Sequence, residues 1–178
     1  METTNKVEFT RTTVIGSIVV TSPEGPMTVM AGSQTSVYAT AYDAWNNFVA
    51  PNATIGWTTT NGTLLNSSSY TDETGSAYTT LVVNTTAGTQ HVVTATGSAS
   101  ASSPIITTVH SDMMGSWTVT GPTSMTAGTS ANFTGTLYDI YGNLMSTYSG
   151  TRDIDVEGAT NSPNSSNQIG RASCRERV

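Results

Sequence analysis

The residues of this chain that could do chemistry are two histidines, one cysteine and a few carboxylates, so their spacing is the first thing to read. His91 falls at the start of a predicted strand and His110 at a junction between segments, and neither has a Ser–His–Asp or metal-ligand spacing to an acid. A strand-end histidine is more often structural. Asp153, Asp155 and Glu157 alternate, which puts three carboxylates on one face of a strand, and paired carboxylates can hydrolyse glycosides. Ile154 and Val156 claim the other, buried face, so the acids read better as a solvated surface that discourages edge-to-edge pairing. Asp43 and Asp139 each precede an aromatic residue and then Asn or Gly. A calcium ion needs about six oxygens, and one Asp per motif does not supply them, so the motif reads as an Asx turn. Tyr38, Tyr42, Trp45 and Tyr141 are the aromatics that could stack on a sugar ring, although such residues more often pack strand edges or junctions. Asn-x-Ser/Thr sequons occur at Asn52, Asn61, Asn66, Asn84, Asn132 and Asn164, several of them expected from composition alone. No catalytic, cofactor-binding or metal-binding residue is assigned, and no enzymatic activity is expected.

The last ten residues, Ile169 to Val178, differ in kind from the rest. They hold three of the six basic residues and the sole cysteine, and codon by codon they resemble a sequencing-library adapter translated in frame. With them set aside as a tail (168–178), three basic residues face eleven acidic ones, and no cysteine remains for a disulfide or thiolate chemistry. Such an acidic, lysine-poor surface repels phosphate backbones, which argues against a nucleic-acid partner. No stretch reaches the length of a membrane-spanning helix, and the first residues lack a basic-then-apolar leader pattern.

The elements that must position these residues are strands. Ser and Thr make up about a third of the chain while charged residues are only 10%. Thr is stiff at χ1 and suits a half-buried pleated surface, and no run has 3.6-residue apolar spacing. An internal repeat organises the strands. Met30-Ala31-Gly32-Ser33-Gln34-Thr35-Ser36-Val37-Tyr38-Ala39-Thr40-Ala41-Tyr42-Asp43-Ala44-Trp45-Asn46-Asn47-Phe48 aligns without a gap to the segment from Thr126 to Leu144, 96 residues on (Asp43 to Asp139). Gly16-Ser17-Ile18-Val19-Val20 answers to Gly115-Ser116-Trp117-Thr118-Val119, and Thr12-Thr13-Val14 to Thr107-Thr108-Val109. Val37, Ala39 and Ala41, like Phe133, Gly135 and Leu137, take alternate positions and are predicted core. Asn46 and Gly142 are the residue types that tolerate positive φ, so a tight turn is predicted there. Seven strands are predicted in the first copy, at 17–22, 36–43, 54–59, 62–66, 75–83, 91–96 and 104–109, with Trp57 as the bulky core residue of the third. The period is that of one immunoglobulin-type sandwich.

Ala127-Gly128-Thr129, the strand ending in Tyr138-Asp139-Ile140-Tyr141-Gly142-Asn143, and Tyr148-Ser149-Gly150-Thr151 resemble bacterial and archaeal immunoglobulin-like surface repeats of the invasin/intimin and filamin-like kinds. Thr71-Asp72-Glu73-Thr74-Gly75-Ser76-Ala77 and the segment from Ala87 to Thr96 resemble later strands of that group. Asn46 and Trp45 depart from its usual Gly and Tyr, and both fit the same turn. The resemblance implies an all-β, immunoglobulin-like sandwich in tandem, one copy complete and the next truncated. The expected division is the end of a preceding repeat (1–14), a complete sandwich (15–111), the first part of a second (112–167) and the tail. It further implies a non-catalytic structural or adhesive module of a large secreted or cell-surface protein, or alternatively an accessory or carbohydrate-binding module of a secreted hydrolase. Neighbouring repeats of the same chain, together with cell-surface glycans or proteins, are the partners this implies. No cofactor is implied.

Overall fold

The computed structural model describes residues 10–124 and 129–147, together with the backbone of two short strands at 152–153 and 173–174. Every regular element in it is a strand, and the first repeat is an immunoglobulin-like sandwich.

One sheet has the order β1-β3-β7-β5, built from β1 (Ser17–Ser22), β3 (Gln34–Tyr42), β7 (Ser76–Val82) and β5 (Thr63–Leu64). The facing sheet has the order β10-β9-β4-β6, from β10 (Ser100–Ser102), β9 (Val93–Thr96), β4 (Thr54–Thr59) and β6 (Ser68–Tyr70). A third, three-stranded sheet joins β2 (Met27–Met30), β11 (Ile106–Val109) and β8 (Gln90–His91). Here β2 and β11 run parallel, Met27 opposite Ile106 and Met30 opposite Val109. Thus β8 and β9, predicted as one strand, belong to different sheets, with the chain turning at Val92.

Period-2 alternation decides which side chains enter the core. Val37, Ala39 and Ala41 of β3 and Ala77, Thr79 and Leu81 of β7 point inward, while Tyr38 and Tyr78 point out and stack at 5.4 Å. From the facing sheet come Ile55 and Trp57 of β4 and Val93 and Ala95 of β9, with Ile106 of β11 closing the edge. Alanines on one sheet leave room for the Trp57 ring on the other, which keeps two sheets of unequal side chains in contact. The Trp57 indole N–H donates to Ser69 Oγ at 2.7 Å, so its polar edge is satisfied inside the sandwich.

The second repeat presents β12 (Met114–Thr120) paired with β13 (Thr134–Asp139), Trp117 opposite Leu137. The core predicted for Phe133, Gly135 and Leu137 does not form here. Phe133 is exposed, and Gly135 and Leu137 are half-buried. All of β12 is exposed as well, because among the described residues no second sheet lies over this hairpin. A fourteenth strand (Arg152–Asp153) pairs antiparallel with a fifteenth (Ser173–Cys174), which lies in the tail. Ile154, Asp155, Val156, Glu157 and Asn164 lie outside the described residues.

Candidate functional site

The Asp-aromatic-Asn motif is a turn, and it recurs bond for bond. At the end of β3, Asp43 Oδ1 accepts the N–H groups of Trp45 and Asn47, both at 2.9 Å. The Asp43 N–H donates to Asn47 O, and the Asn46 N–H donates back to Asp43 O. Asn46 sits at φ 65°, the left-handed region that Asn tolerates better than most residues. At the end of β13, Asp139 Oδ1 accepts from the N–H groups of Tyr141 (2.9 Å) and Asn143 (2.8 Å), and Gly142 takes φ 83°. The same two backbone bonds close this turn, and the bridges Tyr42–Phe48 and Tyr138–Leu144 continue each hairpin alike. A third copy follows in Asp72-Glu73-Thr74-Gly75-Ser76. There Asp72 Oδ1 accepts the N–H of Thr74 and Ser76, and Gly75 lies at φ 70°. The resemblance of residues 71–77 to later strands of the surface repeats does not link this turn to the other two. An Asp three residues ahead of Gly or Asn would have linked them.

These carboxylates are filled by donors rather than left open to a cation. The backbone N–H of Asn47 is the main influence holding Asp43 below the usual carboxylate range, and the Thr74 hydroxyl does the same for Asp72. Burial raises Asp139, but hydrogen bonds from the Asn143 amide, the Ser111 N–H and the turn amides outweigh it and bring it to about 2. No group of three or more His, Cys, Asp or Glu could hold a metal ion among the described residues.

Each turn also anchors the strand that enters its repeat. A Cβ on Gly16 would stand 2.7 Å from the backbone of Asp43 and Ala44, and one on Gly115 would stand 2.5 Å from Asp139 O. Only glycine allows the entering chain to lie this close. Four residues earlier, Thr12 Oγ1 accepts the Val14 N–H, and Ser111 Oγ accepts the Met113 N–H. In space Thr12 therefore answers to Ser111, not to Thr107 of β11 as the sequence alignment has it, and residues 12–14 are not a strand. The residues just before this hydroxyl also have parallel roles. Arg11 donates to Phe48 O and Val49 O, and His110 Nε2 bonds the Thr147 hydroxyl at 2.7 Å.

The second turn does one thing more: it reaches back into the first sandwich. Asp139 Oδ2 accepts the Ser111 N–H at 2.8 Å. Asn143 Oδ1 accepts the Ala87 N–H at 2.9 Å while its Nδ2 donates to Thr85 O at 2.7 Å. Tyr141 covers Gly32, where any Cβ would meet the phenol ring. Asn143 thereby reads a donor and an acceptor of one loop of the preceding repeat.

The remaining candidates separate. Tyr38 stacks on Tyr78 on the outer face of the first sheet, Tyr141 sits at the joint, and Tyr42 tilts against Phe48 at 5.4 Å beside Trp45. Tyr42 and Trp45 share a cleft, with Arg11 and Asn47 among its other walls. Trp45 is 77% exposed. His91 is fully buried, its Nε2 2.8 Å from Thr108 Oγ1, which itself donates to Asn84 Oδ1. That places sequon Asn84 in an internal network, while Asn52, Asn61, Asn66 and Asn132 are exposed. His91 Nδ1 has no partner among the described residues.

No family model matches this chain, and no curated protein matches it. Among solved structures, the D0–D1 domains of intimin match with 24% identity and a TM-score of 0.42, over 52% of this chain and 46% of that one. A C-terminal intimin fragment in complex with the intimin-binding domain of the translocated intimin receptor matches at 23% identity and TM-score 0.42, over 61% of this chain and 35% of that one. Domains 4–9 of the S-layer protein SbsC match at 17% identity and TM-score 0.38, over 83% and 24% of the two chains. The chain thus spans less than half the length of each.

Proposed function

We propose that this chain is a piece of a stalk: consecutive non-catalytic sandwiches that carry load or hold a distal adhesive part of a large secreted or cell-surface protein. In this reading 15–111 is one complete unit, 112–167 begins the next, 1–14 closes the one before and 168–178 is extraneous. The observation that carries it is the joint, where the Asp139 turn binds Ser111 and Asn143 binds Thr85 and Ala87. Domains joined only by a linker move independently by default, so several directional hydrogen bonds at the boundary favour a fixed angle between units. A surface rich in Ser and Thr and poor in charge suits exposure outside the cell. Residual dipolar couplings test the reading directly. One alignment tensor is expected for residues 15–111 and 112–147, separating into two in Asn143→Ala; two independent tensors in the unsubstituted chain would overturn it.

The alternative, a carbohydrate-binding module, draws on the exposure of Trp45 beside Tyr42. It requires retention on a polysaccharide matrix that Trp45→Ala abolishes. The stalk reading expects no such retention.

A further inference from the structure

We infer that the exposed Trp45-Asn46-Asn47 turn of the complete sandwich is a docking surface for another copy of the same repeat, which would present its equivalents of the Gly32 turn and of the loop from Thr85 to Ala87. This deepens the stalk reading and rests on it. The chain itself supplies the template, because its two Asp turns match in their internal bonds to backbone groups and differ in what lies outside them. Asn143 spends Oδ1 and Nδ2 on Ala87 and Thr85 while Nδ2 also holds Asp139 Oδ2. Asn47 makes only the inward bonds, to both Asp43 oxygens, and among the described residues its Oδ1 accepts nothing. In the second repeat's turn Tyr141 lies on Gly32 and is 44% exposed. In the first, the equivalent Trp45 is 77% exposed.

The approach to the two turns matches in two respects. From Thr12 to Gly16 and from Ser111 to Gly115 a backbone amide donates to the hydroxyl two residues before it, and the chain makes the same close pass over the Asp backbone. Thr10, Arg11 and Thr12 line the cleft beside Trp45, so the entering chain already runs along this face. An Asn side chain with one free acceptor and a neighbouring flat aromatic suits a loop that offers an amide N–H, a carbonyl and a glycine without a Cβ. Those are the three groups the far end of this sandwich presents at Ala87, Thr85 and Gly32. Trp for Tyr enlarges the covering ring and keeps its function.

The test inserts a second copy of residues 16–114 directly after Met114 of the full chain, in a Cys174→Ser background. Spin labels at Thr58→Cys in both copies read the new joint. Labels at Thr58→Cys of the second copy and Thr118→Cys read the joint already present. Both distance distributions are expected to be narrow. Asn47→Ala in the second copy, or Ala87→Pro in the first, should widen the new joint's distribution roughly twofold, toward that of freely jointed domains, and leave the other unchanged. The proline variant removes one N–H without touching the receiving turn, so a misfolded turn cannot mimic the result. A broad new joint beside a narrow existing one overturns the docking inference alone, as does indifference to both substitutions. Broad distributions at both joints remove the stalk reading as well.

Discussion

The first and second repeats are assembled around the same strand pair and the same aspartate turn, yet among the described residues only the first has an interior. In the first, Val37, Ala39 and Ala41 of the hairpin meet Ile55, Trp57 and Val93 from the opposite sheet and are excluded from water. In the second, Phe133 is exposed, and among the described residues from 112 on only Asp139 and Met145 are buried. The difference separates two kinds of order. The turn is local, closed by one carboxylate and amides within four residues of it, and it forms in both settings. The core is non-local and needs strands from across the repeat. The described part of the second repeat is held in part by the first, through Ser111, Thr85 and Ala87.

The sharpest way to break this comparison is to separate its members. Residues 17–109 made alone should unfold cooperatively, whereas 115–167 should show no cooperative melt; a melt of the latter would mean that its hairpin has a core of its own. Trp57→Ala comes next, expected to cost the first sandwich about 3–5 kcal/mol in a urea melt, since it empties the centre between the sheets. Asp139→Ala leaves the Ser111, Tyr141 and Asn143 amides without their acceptor and should destabilise the hairpin by about 1–3 kcal/mol. Amide exchange at Tyr141 and Asn143 would report it, while the first sandwich should keep its melting midpoint.

Acid offers a graded version of the same experiment. The folded Asp139 titrates at about 2, below its unfolded value, so its contribution is complete above the ordinary carboxylate range and disappears as the pH falls toward 2. Protection of the joint amides should therefore decline between roughly pH 4 and pH 2, and Asp139→Asn should remove that dependence. The smallest effect is expected of Tyr141→Ala: no more than roughly 0.5 kcal/mol in stability, with faster exchange at Ala87 as the joint loosens.

Much of this was legible in the sequence because it is periodic or local. The 96-residue spacing of Asp43 and Asp139, the alternation along β3, the placement of Trp57 and the positive φ at Asn46 and Gly142 all follow from residue type and spacing. Three short strands were not. Met27–Met30 pairs in parallel with a strand far along the chain, and Ser68–Tyr70 and Ser100–Ser102 are three-residue edges without an apolar alternation to announce them. The joint was invisible for a related reason. Asn143 and its partners are more than fifty residues apart, and hydrogen bonds from a side-chain amide to a loop backbone leave no trace in loop composition. The flanking alignment misled because Thr12-Thr13-Val14 looks like a β-strand, while the matching hydroxyl turn of Ser111 and Met113 is preserved only as geometry.

The parallel pair β2–β11 has a consequence under tension. The chain enters this sandwich through β1, immediately ahead of β2, and leaves it through β11. A pull on the two ends would slide these strands past one another along their length instead of peeling them apart. Evenly spaced bonds, from Met27 N–H to Ile105 O at one end to Ala31 N–H to Val109 O at the other, would then share the strain together. A unit wired in this way yields late and all at once, like a lap joint rather than a zip.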